Sequence, residues 1–234
     1  VMKKYNCKVM VFSSSATIYG SSKIIPIPEN APIKPLNPYG NTKAAIEKLL
    51  TDIAVCSDKH AIRSISNSSW RIACLRYFNP VGAHPSGIIG EDPKGIPNNL
   101  FPYINQVAIG KIKFLQIFGD DWPTIDGTGV RDYIHVMDLA EGHCAALETL
   151  LVSKPQLLTL NLGTGKGTSV MQVLKNFEKI LKKQIPYEIV SKRSGDSAIA
   201  IADVSMAKKI IKWQAKRDLD QMCFDSWNWQ TKNP

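Results

Sequence analysis

Residues 8–43 read KVMVFSSSATIYGSSKIIPIPENAPIKPLNPYGNTK. The segment Lys8–Phe12 is short, apolar and rich in valine, as a buried strand of a parallel sheet is. Ser13, Ser14 and Ser15 follow at once, which places the end of the strand and the start of a loop there. Prolines at 26, 28, 32, 35 and 38 forbid a long helix over 24–38 and predict an ordered loop. After Tyr39 the pattern changes. Ala45, Ile46, Leu49, Leu50, Ile53 and Ala54 recur at helical spacing, which predicts an amphipathic helix of at least about three turns.

The same alternation continues along the chain. Residues 57–70 are polar and serine-rich, a surface connection. Ile72–Phe78 reads as a second buried strand. From Asn79 to Asn99 there are four glycines, four prolines and little apolar periodicity, which predicts a long loop of the kind that usually carries function. Helices are expected near 100–109, 136–151, 168–182, 204–211 and 217–229, and strands at 114–118, 157–162 and 186–190. Strands alternating with helices make the fold class α/β. Gly163-Thr-Gly-Lys-Gly167 lies between a strand and a helix, yet it lacks the spacing of a pyrophosphate-binding turn and reads as a plain connection.

The five cysteines, Cys7, Cys56, Cys74, Cys144 and Cys223, are odd in number and scattered. They argue against a disulfide framework or a zinc site, and for buried thiols in a reducing, cytoplasmic compartment. No metal site is expected. No stretch is apolar for the eighteen or so residues a membrane span needs, so no membrane partner is expected. The net charge of +9 comes from dispersed lysines without a stacking-aromatic module. It suits an anionic diphosphate ligand and gives no reason to expect specific nucleic-acid binding.

A phenol works as a general base only when its ordinary pKa of about 10 is drawn toward neutrality. A lysine one helical turn away favours the ionised form, and tyrosine-x-x-x-lysine on a helix places both groups on one face. Two pairs match, Tyr19/Lys23 and Tyr39/Lys43. Ile24-Ile-Pro-Ile-Pro28 follows the first and cannot be helical, whereas the second opens the predicted helix. Tyr39 and Lys43 are therefore the candidate pair. Ser15, 24 residues before Tyr39 at a strand end, is the candidate partner, because a hydroxyl both donates and accepts. Each piece alone is common; strand, serine, proline-rich loop, tyrosine and lysine together are not.

The strings SSSATIYG (13–20), NPYGNTK (37–43), RYFNPVGAHPSGIIGEDPKGIPNNLFPYINQVAIG (76–110), IFGDDWPTIDGTGVRDYIHVMDLAEGH (117–143), LNLGTGKGTSV (160–170) and DSWNWQTKNP (225–234) resemble the UDP-glucose 4-epimerases of the extended short-chain dehydrogenase/reductase family. The resemblance spans nearly the whole chain and is weakest at 57–70 and 183–200. It implies NAD as cofactor, a UDP-hexose as substrate, a homodimer, and interconversion of UDP-glucose and UDP-galactose in galactose metabolism. It implies that Tyr39 takes the proton of the sugar 4-hydroxyl, that Ser15 bridges tyrosine and sugar, and that Lys43 binds the nicotinamide ribose. Ser13, Ser14, Tyr77 and Phe78 would also meet the cofactor. Asn79 would contact the sugar or diphosphate, while Asn99, Leu100, Gln116, Phe118, Arg131, Tyr133, Arg193 and Asp196 would hold the UDP portion.

The architecture so implied is a partial Rossmann-type parallel sheet with a smaller α/β substrate-binding domain. Residues 1–79 would be the later part of the NAD-binding domain. Residues 80–234 would be mainly substrate domain, with segments near 115–165 returning to the first. The family's glycine-rich turn and adenosine pocket have no counterpart in these residues. The resemblance thus implies the C-terminal two-thirds of such an enzyme, and a chain without activity by itself. A non-catalytic UDP-sugar-binding fragment, or a related nucleotide-sugar epimerase, is the alternative. Related dehydratases need a proton acid after the serine, where Ala16 and Thr17 stand. A second departure is Ala200, where the family often carries tyrosine; it bears on how large a sugar is accepted.

Overall fold

The computed structural model describes residues 1–55, 70–193 and 195–234. Apart from Trp70, the surface connection expected at 57–70 lies outside them. The chain divides into two compact units. One comprises Val1–Phe78, Ala140–Leu162 and Ala202–Gln214; the other comprises Asn79–Leu139, Gly163–Ile201 and Ala215–Pro234.

The first unit is built on a three-stranded parallel sheet in the order β1-β2-β7. Strand β1 (Val9–Ser15) pairs with β2 (Arg71–Tyr77), setting Ser13 opposite Leu75, Ser14 opposite Arg76 and Ser15 opposite Tyr77. On its other edge β2 pairs with β7 (Gln156–Leu162). Parallel strands buried on both faces need near-continuous apolar runs, which Ile72-Ala-Cys-Leu75 supplies. Leu50 and Ala54 of helix α1 (Pro38–Val55) pack on Ile72 and Cys74, with Met10, Phe12, Ile46 and Leu157 around them. Helices α3 (Val136–Val152), from Ala140 onward, and α5 (Ser205–Ile210) belong to the same unit.

The serines sit otherwise than the sequence suggested. The strand runs on through Ser15, so Ser13 and Ser15 share one face of the sheet and Ser14 the other. A one-turn 3-10 helix, Ala16–Tyr19, then starts at Ser15, whose hydroxyl caps it by accepting from Thr17 N.

Among its described residues the second unit holds three small sheets. Strand β3 (Asn79–Val81) pairs in parallel with β6 (Tyr133–His135), and β4 (Leu115–Phe118) with β9 (Tyr187–Val190). Strand β5 (Val130–Arg131) lies between β10 (Ile199–Ala200), parallel to it, and β8 (Thr168–Ser169), antiparallel. Helices α2 (Leu100–Ala108), α4 (Val170–Leu181) and α6 (Leu219–Lys232) complete it. Its core is Phe101, Ile104, Val107, Leu115, Ile117, Val173, Leu174, Phe177 and their neighbours, with Phe101 and Phe177 edge-on at 5.1 Å between centroids. A full capping box starts α4, Ser169 accepting from Gln172 N while the Gln172 side chain accepts from Ser169 N.

Five strands of two or three residues (β3, β5, β6, β8 and β10) escaped the sequence reading, because so few residues show no period. The loop expected from Asn79 therefore begins as a strand. Of the segments expected near 115–165 to return to the first unit, Ala140–Leu162 groups with it, as does Ala202–Gln214, whereas β4 pairs with β9 inside the second unit. Of the described cysteines, Cys74 and Cys223 are buried as expected, but Cys7 and Cys144 are exposed; all four are free.

Candidate functional site

The start of α1 explains why NPYG stands where it does. Asn37 accepts a hydrogen bond from Gly40 N–H at 2.8 Å through its side-chain oxygen, satisfying one of the helix's unpaired donors. Pro38 occupies the first helical position, where its missing N–H costs nothing. A Cβ at Gly40 would stand 2.9 Å from Thr17 O and from Pro35 Cβ, so only glycine lets the helix begin this close to the loop. Between them Tyr39 is left half exposed, at 50%.

One turn on, Lys43 donates to Ser13 O at 2.8 Å. Its ammonium stands 5.4 Å from the centre of the Tyr39 ring and 5.2 Å from that of Phe12, within cation–π range. The phenol of Tyr39 is near enough to that of Tyr77 to influence its ionisation. Burial raises the pKa of Tyr77, and the neighbouring Tyr39 phenol adds to the rise. Ser15 Oγ, at the end of β1, accepts from Thr17 N and from Thr17 Oγ1 at 3.2 and 2.9 Å. Phe78 is buried, and its N–H is bonded to Leu162 O. Tyr39, Lys43, Ser13, Ser15, Tyr77 and Phe78 thus all lie in the first unit, around one end of the parallel sheet.

Ser14 is not brought to this group by its side chain. Its hydroxyl is buried and donates to Glu47 Oε1 at 2.5 Å. Glu47 in turn takes the Arg76 guanidinium with Nη2–Oε2 at 2.6 Å and Nε–Oε1 at 2.9 Å. Arg76 Nη1 also donates to Tyr19 Oη at 3.0 Å, and Tyr19 Oη to Asn161 Oδ1 at 2.7 Å. The rejected tyrosine of the two pairs is therefore a core residue, 2% exposed, with a pKa pushed by burial up to about 12. Tyr19→Phe should lower unfolding free energy by about 1–3 kcal/mol, the cost of stranding buried partners, as measured by urea denaturation of the full-length gene product. A neutral result would contradict the network.

Sequence reasoning missed Glu47, Arg76, Asn161 and His143. For Glu47 a signal existed: Tyr39, Lys43 and Glu47 are spaced by four, so a third group occupies the same helical face. His143 Nε2 is hydrogen-bonded to Ser13 Oγ at 2.9 Å and its ring lies 6.2 Å from that of Tyr77. A contact spanning 130 residues leaves no local mark.

In the second unit the expected residues divide. The Arg193 guanidinium lies 3.6 Å over the Phe118 ring. Asp196 N–H bonds back to Arg193 O, and its carboxylate stands 3.9 Å from Arg131 Nη2. Ala200 is paired with Arg131 across β10 and β5. Phe118, Arg131, Arg193, Asp196 and Ala200 thus form one connected, partly exposed group. Gln116 Nε2 donates to Glu188 Oε1 at 3.1 Å on the neighbouring strand. Asn99 donates to Glu91 Oε1 at 2.7 Å just before α2, which Leu100 opens. Asn79 is exposed on β3 with its N–H on Asp132 O. Tyr133 stands apart: it is 6% exposed and packs on Phe101 at 5.7 Å, and burial raises its pKa. Its phenol belongs to the core, not to the group expected to meet a ligand.

The glycine-rich turn at 163–167 is held from within. Asp132 accepts from Thr164 N, Thr164 Oγ1 and Gly165 N at 2.8, 2.7 and 2.9 Å. Those amides serve a carboxylate of the chain itself, as a plain connection requires. Among the described residues no cluster of three histidine, cysteine or acidic groups could hold a metal, and no helix is long and apolar enough to cross a membrane.

A model of the NAD dependent epimerase/dehydratase family matches residues 1–163. The chain is 53% identical over 234 residues to the bifunctional UDP-glucose 4-epimerase and UDP-xylose 4-epimerase 3 of Arabidopsis thaliana, covering 100% of this chain and 64% of that protein. It is 53% identical over 232 residues to the UDP-glucose 4-epimerase of Bacillus subtilis (strain 168), covering 99% and 65%. A similar solved structure is that of UDP-glucose 4-epimerase from Bifidobacterium longum in complex with NAD+ and UDP. It has a TM-score of 0.90 and 50% identity, over 100% of this chain and 66% of that one. The chain therefore spans just under two-thirds of the length of these relatives.

Proposed function

Since the chain belongs to the NAD dependent epimerase/dehydratase family, we propose that it carries the reaction residues and the nucleotide-binding residues of an enzyme that interconverts UDP-glucose and UDP-galactose. The observation that carries this reading is the half-exposed Tyr39 with the Lys43 ammonium 5.4 Å from its ring, beside the end of β1. The Bifidobacterium longum structure, with NAD+ and UDP bound, supports it from outside.

The donor set of the first unit fits a nicotinamide ribose. An ammonium has three N–H donors; Ser13 O takes one, leaving donors suited to a diol. When bound, NAD supplies the acceptor and later the donor of a hydride at the sugar's C4. Tyr39 takes the proton of the 4-hydroxyl as that hydrogen leaves and returns it when the sugar has turned over. The Ser15 hydroxyl bridges phenol and sugar oxygen. Lys43 stabilises the phenolate and orients the ribose, while Ser13 and Tyr77 line the ring. Ser14 holds the strand without touching the cofactor. Neither Ala16 nor Thr17 supplies a proton acid, and epimerisation needs none, because the hydride returns to the carbon it left.

In the second unit Arg131 and Arg193 match phosphate oxygens through their planar forks. Asp196 keeps Arg131 in place, the Phe118 ring and Leu100 offer apolar surface to a base, and Asn79, Asn99 and Gln116 supply amides. The same reading makes the protein a cytoplasmic homodimer of galactose metabolism, in keeping with its free cysteines. The test is interconversion of UDP-glucose and UDP-galactose by the full-length gene product; absence of turnover with bound NAD refutes it.

Ala200 sets a further expectation. A methyl group beside Arg131 leaves room at the sugar's C2 side, so UDP-N-acetylglucosamine should also be turned over. Ala200→Tyr should remove that activity by about 10–200-fold or more while sparing UDP-glucose, because steric exclusion is how a packed pocket rejects a larger substrate. Absence of acetylated-sugar turnover in the parent would contradict the expectation.

A further inference from the structure

Glu47 is 6% exposed, on the same helical face as Tyr39 and Lys43, two turns beyond the first and one beyond the second along α1. Its two oxygens are bonded to both strands beneath the helix. Ser14 of β1 donates to Oε1 at 2.5 Å, and Arg76 of β2 donates to both oxygens at 2.6–3.2 Å. Ser14 and Arg76 are themselves register partners across the two strands. Their sequence neighbours are Ser13, whose carbonyl receives Lys43, Ser15, and Tyr77, whose pKa the neighbouring Tyr39 helps to raise.

An apolar residue at 47 would satisfy the core as well, since a buried ion pair can often be replaced by packed hydrophobics without loss of stability. What an apolar contact lacks is direction. A carboxylate bonded to two adjacent strands fixes both the rotation and the axial position of the helix, and so the register of everything else on that face.

We infer that Glu47 is a positioning residue of the proposed reaction: it clamps α1 to β1 and β2, so that Lys43 meets Ser13 O at 2.8 Å with its ammonium 5.4 Å from the Tyr39 ring. The inference rests on the function proposed above. Displacement of a reacting group by about 1 Å can cost about 10²-fold in rate, so losing the clamp acts on the chemical step more than on substrate binding.

Two variants of the full-length gene product test this. The double variant Glu47→Leu/Arg76→Met removes the pair together. With no lone charge left buried it should melt above the Arg76→Met single variant and keep the KM for UDP-glucose, while kcat falls about 10²-fold. Ser14→Ala breaks only the β1 side and should lower kcat about tenfold. It decides the matter if the double variant does not fold. Glu47→Gln, which preserves much of the geometry, should retain most of the parental kcat.

A second readout is independent of activity. Acetylation of Lys43 by dilute acetic anhydride, followed by peptide mass spectrometry, should run several-fold faster in both clamp variants, because the ammonium loses its seat on Ser13 O. Parental kcat, or parental Lys43 reactivity, in the variant that decides overturns the inference. If the parent itself fails to interconvert UDP-hexoses, the proposed function fails, and Lys43 reactivity alone judges the clamp: faster acetylation upholds it and an unchanged rate overturns it.

Discussion

Replacing Tyr39 by phenylalanine in the full-length gene product is expected to lower kcat for UDP-hexose interconversion by about 10²–10⁴-fold with little change in KM. The substitution deletes one oxygen from a side chain that is half exposed, so folding should be barely touched. On the proposed function, what is lost is the group that accepts the 4-hydroxyl proton, which is needed in the transition state and hardly in the ground state. Lys43 would keep its bond to Ser13 O, and the residues of the second unit would be untouched, which is why KM should hold. Steady-state kinetics in both directions, with thermal unfolding as control, measure it. Tyr19→Phe is the companion variant: it should lose stability but keep the chemistry. If the Tyr19 variant were the inactive one, the assignment of the base would be wrong.

Replacing Arg76 by methionine should lower unfolding free energy by about 3–5 kcal/mol, the usual cost of leaving one member of a buried ion pair alone. The side chains of Arg76 and Glu47 are 6% and 7% exposed, so water cannot take over the lost bonds. Burial by itself would disfavour the charged guanidinium, but the hydrogen bonds and charge of Glu47, with the Tyr19 phenol, outweigh it and hold the arginine firmly protonated. Without that guanidinium, Glu47 keeps the Ser14 hydroxyl as its side-chain donor, and Tyr19 loses one partner. Urea denaturation measures the loss. A loss below about 1 kcal/mol, the range of an exposed pair, would mean that the pair is not the buried hub described here.

The parts of this architecture written in the sequence were those that depend on local pattern. Valine-rich β1, the apolar run Ile72–Leu75 of β2 and the helical spacing after Tyr39 gave the first unit's frame. Asn37-Pro38-Tyr39-Gly40 encodes a cap, a helix start, the proposed base and a close approach in four consecutive residues. The choice of Tyr39 over Tyr19 followed from the prolines at 26 and 28, which bar a helix after the latter. Hidden from the sequence were contacts between distant residues. Glu47 looks like one more charge on a helix, and only the fold turns it inward onto Arg76, 29 residues away. His143 meets Ser13, and Asp132 ties Thr164 and Gly165, for the same reason. Ser14 was misplaced because a triplet of serines reads as loop, whereas the strand runs through it and alternates its faces. Tyr133 has the residue type of a ligand contact, but β6 points it into the core against Phe101.

The measurement that bears most directly on the account follows one hydrogen atom. UDP-glucose deuterated at C4 of the sugar is incubated with the full-length gene product in ordinary water, and the UDP-galactose formed is analysed by proton NMR and mass spectrometry. Hydride that leaves C4 and returns to the same carbon, while Tyr39 handles only the hydroxyl proton, predicts UDP-galactose that retains the deuterium at C4. Deuterium lost to solvent, or no UDP-galactose formed at all, would contradict the account.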